Sequence, residues 1–151
     1  MTSYCPDVNV WLALTYQNHV HHKDAAKWLA SVNDESRVIF MRFTQLGLLR
    51  LLTNEAVLGA ETVTLGRAWS IYDRGLEDPR LEFYPEPEGV GQAFRDAAQP
   101  HFGRLATKVI GDCFLLACAK QSDATLVTFD KALFAFARKN RCAAVIPQST
   151  P

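Results

Sequence analysis

Short apolar runs separated by helix-patterned stretches limit what this chain can fold into. "SYCP" (3–6), "RVIFM" (37–41), "TLVTFD" (125–130) and "AAVIP" (143–147) have the length and side chains of buried strands, too brief for helices. Between them lie segments with helical spacing over 8–14, within "NHVHHKDAAKWLASV" (18–32), and over 44–54, 62–75, 89–99 and 112–121. In the third of these, Leu46, Leu49 and Leu52 fall near one stripe, with Asn54 near the end. The acid- and proline-rich "EDPRLEFYPEPEG" reads as a loop around a short strand, "LEFY". Strands alternating with helices predict an α/β domain: a central, mainly parallel sheet flanked by helices. With no repeat, linker or low-complexity tract, one domain is expected over residues 1–151.

Inside this apolar frame a few acids stand out. Asp7 sits in "CPDVNVWLAL", Asp112 opens the apolar "DCFLLACAKQ", and Asp130 ends "TLVTF". A buried carboxylate costs several kcal/mol or more unless it is paired, hydrogen-bonded or bound to a cation. In an open parallel sheet, ligands sit outside the carboxyl ends of the strands, where strand order reverses. Asp7 and Asp130 after strands, and Asp112 at a helix amino terminus, are placed to converge there. Clustered carboxylates raise one another's pKa until a cation neutralises them. Hard oxygen ligands in an incomplete shell suit Mg²⁺ or Mn²⁺, with Asn9 and Thr128 as hydrogen-bonding supports. The ordinary alternative is that Asp112 and Asp130 merely cap helices.

Composition narrows the function classes. Lys plus Arg equals Asp plus Glu, so a net charge of zero gives no long-range field for a polyanion, and contacts to nucleic acid must come from local patches. Cys5, Cys113, Cys118 and Cys142 form no C-x-x-C pair, no basic-then-apolar leader is present, and no run approaches the ~18 residues of a membrane span. A reducing cytoplasm is the expected location. Neither G-x-x-x-x-G-K-[ST] nor G-x-G-x-x-G occurs.

Taken together, "DVNVWLAL", "RFTQLGLLRLLTN", "GDCFLLACA" and "TLVTFDKAL" resemble the PIN-domain ribonucleases, in particular the VapC-type toxins of bacterial toxin–antitoxin pairs. The resemblance runs from about residue 5 to 147. It implies a PIN-like three-layer fold and a divalent-metal-dependent endoribonuclease that hydrolyses RNA with a metal-activated water. Asp7, Asp112 and Asp130 match the family's acids; Asn9 and Thr128 match the polar residues beside them. A cognate antitoxin protein and a homodimer are implied as partners. The chain departs from the family at one place. Many relatives carry a T-x-x-E pattern, but here Thr44 is followed by Gln45, Leu46 and Gly47. Gly47 takes the glutamate's place, which leaves Gln45 as a candidate neutral oxygen.

Two other readings compete with a ribonuclease toxin. One is a catalytically weakened PIN-fold module that binds RNA or protein. The other is a phosphatase with Asp7 as nucleophile, whose usual second aspartate would fall where Asn9 stands. "NHVHH" (18–22) has no second cluster at zinc-ligand spacing and reads as a polar turn. Arg42, Arg50, Lys108 and "RKNR" (138–141) are candidate phosphate contacts.

Overall fold

The structure, a computed structural model, describes residues 1–148; positions 149–151 of the expected domain lie outside the described residues. Five strands form one sheet: β1 (Ser3–Pro6), β2 (Arg37–Phe40), β3 (Leu81–Phe83), β4 (Ala124–Val127) and β5 (Ala144–Val145). Their spatial order is β3-β2-β1-β4-β5 and every pairing is parallel, so the expected mainly parallel sheet is wholly parallel. The helices are α1 (Val8–Thr15), α2 (His22–Ser31), α3 (Arg42–Leu52), α4 (Glu55–Leu58), α5 (Leu65–Gly75), α6 (Val90–Ala98), α7 (Ile110–Gln121) and α8 (Lys131–Lys139).

The two-residue alternation of the strands builds the three layers. Ile39 and Leu126 point into one core with Cys113, Leu116 and Leu133 of α7 and α8. Val38, Phe40 and Val127 point the other way, onto Trp11, Trp28, Leu48 and Tyr72 of α1, α2, α3 and α5. All four cysteines are buried and free. Among the described residues no helix is long and apolar enough to cross a membrane.

Several boundaries differ from the sequence reading, each for a local reason. The β4 strand stops at Val127, because the Thr128 hydroxyl accepts the Asp130 N–H at 3.0 Å and turns the chain. Helix α3 begins at Arg42 rather than 44. The Thr44 hydroxyl reaches back, accepting the Met41 N–H at 3.1 Å and donating to the Met41 carbonyl at 2.9 Å. Asn54 caps α4, not the end of α3, by accepting the Ala56 N–H. Leu46 is not in the apolar stripe: α3 buries Thr44, Gln45, Leu48, Leu49 and Leu52, while Leu46 is 45% exposed.

Candidate metal centre

Strand order reverses between β1 and β4, and the carboxyl ends of both strands open on one crevice. The two ends are joined there by the Asp7 N–H, which donates to the Val127 carbonyl at 2.9 Å. Asp7 is 6% exposed and caps α1: its Oδ1 accepts the Asn9 N–H at 2.7 Å and the Val10 N–H at 3.3 Å. Its Oδ2 accepts the Thr128 hydroxyl at 2.5 Å. The buried acid is thus satisfied by neutral donors alone. Burial pushes its pKa above the usual carboxylate range, against the pull of those hydrogen bonds, and Asp130 adds to the rise.

Asp130 caps α8, with Oδ1 accepting the Ala132 N–H at 2.8 Å and the Leu133 N–H at 3.1 Å. Asp112 lies in the first turn of α7 and makes no cap hydrogen bond. Its carboxyl is pushed up to about 6 by burial first, then by the charges of Asp130 and Asp7. The structure therefore gathers Asp7, Asp112 and Asp130 within electrostatic reach of one another. It also resolves the ordinary alternative: capping holds for Asp130 and fails for Asp112.

Among the described residues neither ion pair, Arg37–Glu82 or Arg80–Asp78, involves these acids. In donor type and charge the residues fit a divalent cation. The shell is not closed, since among the described residues no three His, Cys, Asp or Glu side chains converge at ligand distance. Any ion held here takes the rest of its shell from water.

The supporting residues divide. Thr128 is fully buried between Asp7 and Asp130. Asn9 contributes its backbone N–H to Asp7, and its side chain is exposed. Gln45 is buried, but its side-chain oxygen accepts from Arg42 and its amide meets Tyr72. Arg42 also lies over the Phe83 ring, 4.6 Å from its centroid. Lys108 is exposed just before α7, while Arg50 lies in the last turn of α3. "RKNR" falls at the far end of α8 from Asp130, about 13 Å along the helix. Gly47 faces α1: a Cβ added there would stand 3.1 Å from Val8 Cγ2, one residue from Asp7.

Sequence reasoning missed two aromatic contacts at this edge. Phe43 covers Gly111, whose added Cβ would lie 3.2 Å from the ring, and meets Phe114 edge-on. Phe129, between Thr128 and Asp130, carries the His21 ring stacked on it. An aromatic inside "TFD" was the available signal, and its partner is far away in sequence.

Residues 4–139 match the PIN domain family model. Ribonuclease VapC41 of Mycobacterium tuberculosis is 40% identical over 130 residues, 83% of this chain and 88% of that protein. Ribonuclease VapC39 of the same organism is 33% identical over 130 residues, 84% of this chain and 88% of that protein. In fold, VapBC2 from Rickettsia felis, solved bound to a DNA fragment from its promoter, superposes with a TM-score of 0.72 at 14% identity. That match covers 97% of this chain and 100% of the other. With a family model spanning most of its length and relatives this similar, the chain belongs to the PIN-domain family, in the VapC branch represented by the mycobacterial proteins.

Proposed function

We propose that this protein is a metal-dependent endoribonuclease, the toxin of a toxin–antitoxin pair, with Asp7, Asp112 and Asp130 as its catalytic, metal-holding residues. One observation carries the reading: three carboxylates share the crevice at the β1–β4 reversal, and neither ion pair among the described residues reaches them. Kinship with VapC ribonucleases supports RNA as the substrate. A bound Mg²⁺ or Mn²⁺ would supply an activated water and charge stabilisation at the phosphodiester. Asp112 and the Oδ2 of Asp130, which takes no part in the α8 cap, would hold the cation together with Asp7, which Thr128 and two N–H groups fix as the buried wall of the site. Lys108, exposed just before α7, and Arg42, at the start of α3, would meet phosphates at the rim, while Arg50 stands about 12 Å further along α3 and could reach only a more distant part of the RNA.

The partners follow from the same kinship: a homodimer in the cytoplasm and an antitoxin segment. A groove of about 870 Å³ between α1, α2, α3 and α5 suits such a segment. It is lined by Leu52, Ile71 and Trp11, and the indole N–H of Trp11 is buried without a partner among the described residues.

Gly47 favours a second reading, a PIN-fold module that binds RNA or protein without turnover. Incubating the protein with structured RNA and Mn²⁺ separates the two. The ribonuclease reading expects cleavage by the wild type and, with Asp7→Asn, a fall of at least about a hundredfold at unchanged circular dichroism. Equal cleavage by both proteins, or none by the wild type at saturating Mn²⁺, overturns it.

A further inference from the structure

The "NHVHH" segment joins α1 to α2, and each of its histidines has a defined place. His19 Nδ1 accepts the His21 backbone N–H at 3.0 Å. His22 Nδ1 donates to the Ala13 carbonyl at 2.7 Å, satisfying an orphan acceptor in the last turn of α1. The His21 carbonyl accepts the Ala25 N–H at 2.9 Å, so its backbone is held on both sides. What this anchoring presents is the His21 ring, stacked on Phe129 with centroids 4.2 Å apart and planes 9° from parallel.

Phe129 is the middle residue of the turn whose neighbours build the proposed site. On one side Thr128 donates to Asp7; on the other Asp130 caps α8 and is tied back by its N–H to the Thr128 hydroxyl. Among the described residues, nothing else in the α1–α2 connection reaches this turn through a ring contact. We propose that His21 is a positioning residue: its ring, through the stack on Phe129, holds the Thr128–Asp130 turn in the geometry that aims Asp130 at the cation. The contact works through the flat face of the ring and not through its nitrogens. The inference rests on the metal-centre reading above, and groups behind metal ligands commonly set affinity in this way.

The test compares wild type, His21→Ala and His21→Phe by Mn²⁺ calorimetry, RNA cleavage kinetics and amide exchange at Asp130. Expected for His21→Ala are an Mn²⁺ affinity about tenfold weaker, a lower kcat at unchanged KM for RNA, and faster Asp130 exchange. His21→Phe keeps a ring on Phe129 and should restore all of these. The proposal is overturned if His21→Ala matches the wild type in exchange and Mn²⁺ affinity, or if His21→Phe is as defective as His21→Ala. A wild type that binds no Mn²⁺ sinks the metal-centre reading instead. Asp130 exchange in the three proteins then still decides whether the stack holds the turn.

Discussion

At the scale of single residues, the acids differ in how many tasks they perform. Asp7 and Asp130 also cap helices, so replacing either with alanine removes hydrogen bonds worth about 0.5–2 kcal/mol per cap. Asp112 makes no such bond, which makes Asp112→Asn the clean probe of charge alone. Its pKa is raised from 3.8 to about 6 by burial and by its acidic neighbours, so in this range the unfolded state binds fewer protons than the folded one. The wild type, free of metal, therefore loses stability as pH rises from 3.8 to about 6, and the loss is complete above that window. Asp112→Asn is spared it. Thermal melts should agree at the acid end and separate by a few degrees, roughly 2–4 °C per kcal/mol, at neutral pH, with the variant the more stable. Saturating Mn²⁺ should reverse the order. Equal melting at every pH would show that Asp112 does not feel its neighbours. The positions of these acids were legible because each interrupts, opens or ends an apolar run. The His21–Phe129 stack was not, because only the assembled sheet, with β4 beside β1, brings the α1–α2 connection to the end of β4.

At the scale of elements, the α1–α3 contact decides what the missing glutamate means. Glycine inside a helix costs ~1 kcal/mol relative to alanine, which by itself favours replacing Gly47. Packing opposes this: an added Cβ meets Val8 at 3.1 Å, and overpacking costs about 1–3 kcal/mol. Val8 is only half-buried, at the margin of the core, so the neighbour that must give is not locked on every side. We expect Gly47→Ala to be within about 1 kcal/mol of wild type. Gly47→Glu should cost more in the metal-free state but bind Mn²⁺ more tightly, because position 47 projects toward the residue after Asp7. Combining Gly47→Glu with Val8→Ala should recover stability and keep the tighter binding. If calorimetry finds the same Mn²⁺ affinity in the wild type, the single variant and the double variant, position 47 does not face the metal. Gln45 is a poorer substitute than its sequence position suggested, its oxygen being taken by Arg42. The strands and most of the longer helices were readable from periodicity; α8 was legible only through Asp130 as the cap of a following helix, without its extent. The short α4 was not, because Asn54 serves equally well after one helix or before the next.

At the scale of the whole molecule, the sheet is covered on both faces, yet apolar side chains remain outside near the acidic edge. Phe43, Leu46, Phe83 and Ile110 are 41%, 45%, 36% and 55% exposed. They are connected: Phe43 rests over Gly111 beside Ile110, Arg42 joins α3 to Phe83, and Leu46 follows Phe43 one helical turn on. A formal net charge of zero puts no general repulsion between two copies. This is the face on which the proposed homodimer would close, and such a dimer would give Leu46, which α3 leaves outside its buried stripe, a partner surface. Burying these side chains supplies the apolar centre of an interface, while Arg42 and Arg50 stay at its polar margin. Light scattering at tens of micromolar, where interfaces of standard size are populated, should give twice the chain mass for the wild type. Leu46→Lys puts a charge at the centre of that face without touching the core, so it should run as a monomer with unchanged circular dichroism and a melting temperature that, unlike the wild type's, no longer rises with protein concentration. A wild type that is already monomeric removes the dimer. A Leu46→Lys protein that remains dimeric keeps the dimer and moves its interface to another face.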